Sequence, residues 1–361
     1  MTFQTIMKAT QQLHDLGQSL WLDNITRDIL NNGTLKKYIE ELSVTGLTSN
    51  PTIFDHAIRK STAYDQGIRE KVKQGLKGEE LFFELAMEDL RAAADLFQPT
   101  HQRSHGVDGW VSLEVSPLLA YDTQTTTKVA KELHERAARP NLFIKIPGTK
   151  EGLPAIEESI FAGVPINVTL LFSKEQYVAA ADAYLRGIER RIAAGLSANV
   201  PSVASIFLSR WDVAVASKVP EPLKNKLGIA IGKQTYKAYC DFIRSPRYLK
   251  TLNSGGLVQR LLFASTGTKD PQASDTLYIS GLAAPYTINT MPEATLLAFG
   301  DHGQITDTIP ADGGDYETIL TEITKAGIDL EALAETLQKE GAASFVNSWT
   351  ELMNAIASKE A

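Results

Sequence analysis

Short apolar runs rich in β-branched residues recur along the whole sequence, alternating with stretches that carry apolar residues at helical spacing. Several of the short runs are continuously apolar, which is typical of strands buried on both faces, as in a parallel sheet. Eight runs are predicted to be strands: Ser19–Leu22, Thr45–Leu47, Gly109–Val115, Leu142–Ile146, Pro165–Leu171, Ser202–Leu208, Leu261–Ala264 and Tyr286–Asn289. Strands that alternate with helices favour a parallel sheet joined by crossover helices.

The helical stretches indicate how this sheet closes. Helices are predicted over Glu79–Phe97, Thr126–Ala138, Lys174–Ala194 and Ala216–Phe242. The sequence shows no composition break and no Gly/Ser-rich or Pro-rich linker, so we expect residues 1–361 to form one domain. The predicted fold class is α/β, a single (β/α)8 TIM barrel, with additional C-terminal helices over Asp315–Ser358 packed outside it.

Composition and charge exclude several classes of protein. With 43% hydrophobic and 22% charged residues, the chain is typical of a soluble globular protein with a large core. A net charge of −7 argues against a nucleic-acid partner, so any phosphate site must be local. Cys240 is the only cysteine, and we expect it to be a packed thiol in a reducing compartment. The sequence has no signal pattern and no membrane-spanning run, so we expect a cytoplasmic protein with no membrane partner. Its moderately acidic composition is compatible with a monomer or a homodimer.

Motifs for metals and organic cofactors do not occur in the sequence. The six histidines show no HExxH spacing and have no cysteine partners. His101 and His105 are four residues apart, but Pro99 and Gly106 beside them indicate a loop, so we expect no metal site there. No GxGxxG fingerprint follows a predicted strand, and no GxxxxGK(S/T) loop is present. We therefore predict that the protein uses neither a metal nor a cofactor.

Lys145 lies inside one of the predicted strands, between Ile144 and Ile146. Burying an ammonium group without a partner is costly, so a lysine in this position needs an explanation. Desolvation favours the neutral amine, which can attack a carbonyl and form a Schiff base. A buried structural salt bridge, or an edge-strand lysine that points to water, explains the same pattern. This run alone leaves all three interpretations open.

Polar residues occur at or after the ends of most predicted strands. In a (β/α)8 barrel the carboxyl ends of the strands meet at one face, where active sites lie. These residues are Asp23, Asn24, Thr48, Ser49, Asn50, Glu114, Lys145, Thr149, Asn167, Thr169, Ser205, Ser209, Arg210 and the run 265–269. Each has a structural alternative, such as a helix cap for Asp23, a turn for Asn50 or a surface ion pair for Arg210. Independent structural roles need not converge on one face, so we predict a functional site there.

The reactive groups of this face fit class I aldol chemistry. A neutral lysine attacks a ketone to give a carbinolamine, which loses water to become an imine. Glu114 with Thr149 is placed to move the required proton through a bridging water. Asp23 can remove the hydroxyl proton that starts carbon–carbon cleavage and return one during synthesis. This chemistry needs no metal and no organic cofactor.

The remaining polar groups fit a phosphorylated sugar. The neutral amides of Asn50 and Asn167 offer donors and acceptors that suit sugar hydroxyls. Arg210 with Ser205 offers the guanidinium fork and the hydroxyl that suit a phosphate. The expected partners are therefore sugar-phosphate substrates.

Six motifs in a fixed order give the sequence a family resemblance. They are SLWLDN (Ser19–Asn24), GLTSNPTIF (Gly46–Phe54), VSLEVSP (Val111–Pro117), NLFIKIPGT (Asn141–Thr149), GVPINVTLLFS (Gly163–Ser173) and SVASIFLSRWD (Ser202–Asp212). Over nearly its whole length the chain resembles the transaldolases, specifically their longer bacterial subgroup. The resemblance implies a (β/α)8 barrel that transfers a dihydroxyacetone unit between sugar phosphates in the non-oxidative pentose phosphate pathway. The implied reaction converts sedoheptulose 7-phosphate and glyceraldehyde 3-phosphate reversibly into erythrose 4-phosphate and fructose 6-phosphate.

The resemblance also implies roles for individual residues. Lys145 matches the Schiff-base lysine, Asp23 the acid/base aspartate, and Glu114 with Thr149 the pair that handles the water of imine formation. The residues that match substrate-binding positions are Thr48, Asn50, Asn167, Thr169, Ser205, Phe207 and Arg210. Shorter transaldolases carry a further phosphate-binding arginine after strand seven. This chain has Ala264–Asp270 there, and Lys269 is the candidate to replace that arginine.

Rival functions remain at this stage. A fructose 6-phosphate or related sugar-phosphate aldolase would use the same lysine but release the three-carbon unit instead of transferring it. The length of the chain and the SRWD segment favour the transferase. A non-catalytic binding barrel would have no use for a lysine in an apolar strand. An enzyme that binds pyridoxal phosphate would also form a lysine imine, but the sequence contains no matching phosphate loop.

Overall fold

Eight parallel strands form a closed barrel in the computed structural model, which describes residues 7–359. The strands are β1 Gln18–Asp23, β2 Val44–Thr48, β3 Trp110–Glu114, β4 Leu142–Pro147, β5 Ile166–Leu171, β6 Ser202–Phe207, β7 Arg260–Ala264 and β8 Thr287–Met291. Each strand pairs with its neighbour in the sequence, and β1 pairs with β8 to close the barrel. The predicted (β/α)8 fold and all eight predicted strands are confirmed, with ends that differ by at most a few residues.

Helices follow the strands and surround the barrel. In chain order they are α1 Ala9–Asp15, α2 Arg27–Asn31, α3 Thr34–Glu41, α4 Pro51–Lys60, α5 Asp65–Lys73, α6 Gly78–Arg103, α7 Thr123–Ala137, α8 Gly152–Phe161, α9 Lys174–Ala193, α10 Ser209–Val215, α11 Leu227–Ile243, α12 Pro246–Leu252, α13 Leu277–Gly281, α14 Glu293–His302, α15 Tyr316–Lys325 and α16 Leu330–Lys359. Pro117–Leu119 and Glu221–Leu223 are short 3₁₀ turns. The predicted helices over Thr126–Ala138 and Lys174–Ala194 correspond to α7 and α9.

Two predictions about helices and loops are wrong. The helix predicted over Ala216–Phe242 begins only at Leu227, because Pro220 and Pro222 cannot continue a helix and the chain turns there instead. The loop expected around Pro99 is part of α6, which runs on to Arg103. Contacts with the start of β3 hold this last turn, since the His101 ring packs edge-on against Trp110 with centroids 4.8 Å apart.

The C-terminal helices were expected to pack outside the barrel. Helix α15 does so, against α11. Helix α16 also lies outside the barrel, packed against α4, and it reaches the carboxyl ends of β4 and β5, where Gln338 binds the carbonyl oxygens of Gly148 and Leu170. The sequence predicted helices in this segment but not the surface that α16 covers.

An aromatic layer fills the middle of the barrel, below the carboxyl ends of the strands. Phe143 stacks on Trp110 with ring centroids 4.1 Å apart and lies 6.2 Å from Trp21. Gly46 leaves the space that the Trp21 indole occupies, because a Cβ atom at Gly46 would lie 2.6 Å from the indole nitrogen. Phe143 precedes Lys145 by two residues, so both side chains point to the same face of β4.

Polar groups close the amino-terminal end of the barrel. The buried carboxylate of Asp108 accepts hydrogen bonds from the Ser19 hydroxyl and, at 2.8 Å, from the Trp21 indole. The Arg260 guanidinium donates to Ser19 Oγ at 2.7 Å and to the carbonyl oxygens of Val107 and Thr287 at 3.1 and 2.9 Å. These bonds tie β1, β7 and β8 to the segment before β3.

Two further sequence features can be placed in the fold. Cys240 is a free, buried thiol on α11, as expected for a packed cysteine. Between residues 7 and 359, no helix combines the length and the apolar character needed to cross a membrane.

Candidate active site

Lys145 is buried at the carboxyl end of β4, with 4% of its surface exposed. Its Nζ atom donates a hydrogen bond of 2.8 Å to the Ser49 carbonyl oxygen, which follows β2. The same atom lies 3.0 Å from Oε2 of Glu114 on β3. Since the parallel register aligns Glu114, Lys145 and Asn167 across three neighbouring strands, these side chains lie at one level of the barrel.

Glu114 is buried in this region, and Asp23, at the end of β1, is partly exposed. Burial raises the pKa of Glu114 above its ordinary value, and the Lys145 charge opposes that rise without cancelling it. Burial likewise raises the pKa of Asp23, against the opposing effects of Lys145 and of the Thr48 hydroxyl. Neither Glu114 oxygen accepts a hydrogen bond from residues 7–359. Apart from its ion pair with Lys145, the Glu114 carboxyl group therefore has unused hydrogen-bonding capacity among the described residues.

Asp23 is supported from two neighbouring strands. The Thr48 hydroxyl, on β2, donates to Asp23 Oδ1 at 2.7 Å. That hydroxyl also lies 2.6 Å from the Thr290 hydroxyl on β8. Lys269, in the segment after β7, lowers the Asp23 pKa by its charge, although it is a smaller cause than Lys145.

Thr149 and Thr169 have different environments. The Thr149 hydroxyl donates to the Ala120 carbonyl oxygen at 2.5 Å and accepts from the Gly152 amide at 3.0 Å, so its hydrogen bonds run to backbone groups. The Thr169 hydroxyl is fully buried and has no hydrogen-bond partner among the described residues. Thr169 is therefore the threonine whose hydroxyl is free for another partner.

The predicted amides are both held in place. Asn167 donates to Ser112 Oγ at 3.2 Å and accepts from Ser205 Oγ at 2.7 Å, so Ser205 orients this amide. Asn50 caps α4, where its side-chain oxygen accepts from the Ile53 amide at 3.0 Å. The amide NH₂ group of Asn50 has no hydrogen-bond partner among the described residues.

Arg210 lies in the first turn of α10, after β6, and is partly buried. Its guanidinium lies 5.6 Å from the Phe207 ring and 5.8 Å from the Phe345 ring of α16. No hydrogen bond or ion pair within residues 7–359 engages this guanidinium. Burial lowers the pKa of Arg210, and the charges of Glu114 and Glu340 act in the opposite direction. A partly buried guanidinium without an acceptor is suited to binding an anion.

Lys269 lies apart from this group of side chains. It is exposed and lines a cavity of about 420 Å³ together with Ser209, Lys224 and Asn225. Contacts or charge interactions thus link Asp23, Thr48, Glu114, Lys145, Arg210 and Phe207, and Asn167 with Ser205 lies beside Lys145. Asn50 and Thr149 bond instead to nearby backbone groups, and Lys269 is exposed beside the site.

Four residues with contacts in this region were not predicted: Ser112, Thr290, Gln338 and Phe345. The period of two along β3 would have found Ser112, because it alternates with Glu114. Thr290 lies beyond the predicted end of β8. Nothing in the sequence around Gln338 or Phe345 indicates that α16 returns to the barrel mouth. Between residues 7 and 359, no group of three or more metal-ligating side chains is found.

Comparison with known proteins assigns this arrangement to a family. The family model described as transaldolase/fructose-6-phosphate aldolase matches residues 20–356. The chain belongs to that family. It is 40% identical to transaldolase 2 of Nostoc punctiforme, 42% identical to a transaldolase of Thermobifida fusca and 41% identical to one of Parafrankia. The matched regions span 96% or 97% of this chain and of each relative, so the similarity covers the whole barrel.

Proposed function

We propose that this enzyme is a transaldolase that carries a dihydroxyacetone unit on Lys145. Its reaction converts sedoheptulose 7-phosphate and glyceraldehyde 3-phosphate into erythrose 4-phosphate and fructose 6-phosphate, reversibly. The observation that carries the proposal is the buried Lys145 amine, 3.0 Å from Glu114, at the carboxyl end of a family-matched barrel. A structural salt bridge alone would not need the further groups that converge around it.

The first half of the reaction forms the imine. Transfer of a proton from Lys145 to Glu114 leaves a neutral amine beside a neutral acid, the pair that burial favours. The amine attacks the ketose carbonyl and gives a carbinolamine. Glu114 then donates its proton to the departing hydroxyl, which leaves as water. We assign the relay to a water between Glu114 and the Thr169 hydroxyl instead of the predicted Thr149, because the Thr149 hydroxyl bonds to two backbone groups.

Cleavage and transfer use the second carboxylate. Asp23 accepts the proton of the substrate hydroxyl next to the bond that breaks, and the bonding electrons move into the iminium group to form an enamine. The raised pKa of Asp23 makes it a stronger base than an exposed aspartate. The aldose product leaves, an acceptor aldehyde enters, and the same groups run the sequence in reverse.

Substrate binding follows from the remaining groups. Asn50 and Asn167 are the proposed ligands of the hydroxyls of the three-carbon unit. Ser205 orients Asn167, and Thr48 donates a hydrogen bond to Asp23. Arg210 is the proposed phosphate ligand, because its guanidinium has no acceptor within the described residues. Lys269 is the proposed second phosphate contact, at the rim.

An aldolase on the same lysine is the rival, since the family description includes fructose-6-phosphate aldolase. The two functions are separated by incubating the enzyme with fructose 6-phosphate, with and without erythrose 4-phosphate, and measuring glyceraldehyde 3-phosphate. Product that appears only with the acceptor supports the transaldolase. Sustained release without it establishes an aldolase, and no product in either incubation removes both functions.

The proposed pathway and location follow from the proposed substrates. A reaction among these sugar phosphates belongs to the non-oxidative pentose phosphate pathway. The lone Cys240 suits the reducing cytoplasm, where that pathway would place the enzyme. Assembly as a monomer or a homodimer is part of the same proposal.

A further inference from the structure

Helix α16 contacts the segments that follow five neighbouring strands of the barrel. Ser348 bonds to Thr52 after β2 at 2.7 Å, and Trp349 donates to Glu79, which also accepts from Ser116 after β3. Gln338 reaches the segment after β4 and the end of β5, and Phe345 lies beside Arg210 after β6. One helix near the end of the chain thus touches the surroundings of most candidate site residues.

Gln338 makes the most specific of these contacts. Its side-chain nitrogen donates to the Gly148 carbonyl oxygen at 3.1 Å and to the Leu170 carbonyl oxygen at 2.9 Å. Two carbonyl acceptors require the NH₂ end of the amide, whose two hydrogens serve both bonds. Gly148 immediately precedes Thr149 and follows the strand of Lys145, so one side chain joins the ends of β4 and β5.

The Leu170 carbonyl belongs to a strained part of β5. Leu170 has a φ of +58°, which is unfavourable for a residue with a branched side chain. The register between β5 and β6 shifts between Val168 and Leu171, so β5 carries one extra residue. Such a bulge changes the direction of neighbouring side chains and is held only where its surroundings fix it.

The strained residue adjoins the unpaired threonine of the site. Thr169 directly precedes Leu170, and its carbonyl oxygen accepts a 2.7 Å bond from the Gly148 amide. Gln338 binds the carbonyl oxygens on both sides of that bond. Gly341, one turn along α16, permits the approach, since a Cβ atom there would lie 3.0 Å from Leu170 Cδ2 and 3.2 Å from an Arg210 nitrogen.

We propose that Gln338 is a positioning residue for the transfer reaction: its two hydrogen bonds hold the β5 bulge against β4 and thereby fix the Thr169 hydroxyl relative to Glu114. This inference rests on the proposed function and adds a residue outside the family motifs quoted above. Gln338 does not touch the reacting atoms. It acts through the backbone that carries Thr169.

The test compares Gln338→Met with the unaltered enzyme. Methionine keeps the volume of the side chain but removes both donors. We expect kcat to fall about 10-fold or more, because small displacements of catalytic groups are costly, while KM for the sugar phosphates changes by less than about 3-fold. The rate of imine formation, followed by borohydride trapping with fructose 6-phosphate, should fall with kcat. All rates are measured well below the melting temperatures of the variants.

Two further variants separate positioning from general stability. Ser348→Ala removes a hydrogen bond between α16 and α4 and should leave kcat within about 2-fold. Gln338→Lys restores a donor that can reach both carbonyl oxygens and should regain most of the lost kcat. A kcat for Gln338→Met equal to that of Ser348→Ala would overturn the inference, as would a Gln338→Lys variant as slow as Gln338→Met.

Failure of this inference is distinguishable from failure of the proposed function. If the unaltered enzyme does not transfer the three-carbon unit, the proposed function falls, and the positioning role falls with it. If the unaltered enzyme transfers normally and Gln338→Met does as well, only the positioning role is lost.

Discussion

The two ends of the barrel both bury charged groups, but they treat them differently. At the amino-terminal end, Asp108 and Arg260 bind hydroxyl, indole and carbonyl groups of the protein itself. At the carboxyl end, Glu114 has only its ion pair with Lys145, and no ion pair or hydrogen bond within residues 7–359 engages the Arg210 guanidinium. Buried polar groups are normally satisfied, so unsatisfied ones need a reason. The comparison indicates that one end contributes stability and the other keeps its capacity for a ligand.

The larger of the two cavities near the barrel ends does not lie at the carboxyl end. A cavity of about 690 Å³ opens at the amino-terminal end, lined in part by Asp108 and Arg260. The cavity beside Lys269, near the carboxyl end, is about 420 Å³. Cavity volume alone therefore does not point to the carboxyl end as the reactive one.

The largest expected effect is at Lys145. Lys145→Ala should abolish turnover and borohydride trapping, because no other group can form the imine, while far-ultraviolet circular dichroism stays unchanged. Lys145→Arg should fail equally, since a guanidinium does not lose its proton to attack a carbonyl. Substantial turnover by either variant would show that Lys145 does not form the imine, and that the carboxyl end of the barrel is not the reactive one.

Asp23→Asn should separate activity from stability. We expect kcat to fall about 10²- to 10⁴-fold through loss of the base, while imine trapping continues. Because burial raises the Asp23 pKa, its protonated form stabilises the fold below its ordinary value of 3.8, and this contribution is lost as the pH rises through the raised value. The variant should therefore melt at a higher temperature than the unaltered enzyme at pH 7. That difference should shrink towards pH 3.8. A variant that melts lower at pH 7 would contradict the cost assigned to this carboxylate.

Arg210→Met tests the unpaired guanidinium. Methionine keeps contact with Phe207 and Phe345, and KM for the phosphorylated substrates should rise about 10- to 100-fold, as expected for loss of charge-assisted hydrogen bonds. Unphosphorylated fructose, assayed as a donor, serves as the control, and its KM should not change. Equal effects on both donors would remove Arg210 from the phosphate site.

Two matched threonine variants compare a free hydroxyl with a hydrogen-bonded one at the carboxyl end of the barrel. Thr169→Val loses no protein hydrogen bond, so stability should hold while imine formation slows about 10-fold. Thr149→Val leaves the Gly152 amide unsatisfied and should lower the free energy of unfolding by about 1 kcal/mol with little change in kcat. Urea unfolding and single-turnover trapping measure the two quantities. The reverse pattern would return the catalytic role to Thr149.

The smallest effect on activity is expected at the amino-terminal end. Asp108→Ala removes the acceptor of the Ser19 hydroxyl and the Trp21 indole, and should lower the free energy of unfolding by about 1–3 kcal/mol. The kcat should stay unchanged, because this carboxylate lies on the far side of the aromatic layer. Parallel losses of kcat and stability would show that the two ends are coupled.

Much of the barrel could be predicted because buried strands have a recognisable apolar pattern in the sequence. Strands buried on both faces are continuously apolar, so runs such as Leu142–Ile146 were found. Prolines inside a helical pattern were not taken into account, so the helix predicted over Ala216–Phe242 started too early. That residues 1–361 form one domain stays a prediction.

The sequence predicts the site residues that lie at strand ends or within the family motifs. Lys145, Glu114 and Asn167 align because parallel neighbours share a register. The choice between Thr149 and Thr169 depends on which hydroxyl the backbone already occupies, and no sequence pattern records that. The approach of Gln338 to Leu170 depends on how α16 docks, which amphipathic spacing leaves open.

The pairing of β1 with β8 has a consequence for how the enzyme folds. The Thr48 and Thr290 hydroxyls that support Asp23 meet across this seam, 242 residues apart in the chain. Contacts between such distant segments form late, because a long loop must close before they contribute. During refolding, carbon–carbon cleavage activity should therefore return only when β1 pairs with β8. The helices and the pairs between strands that are neighbours in the sequence should form earlier.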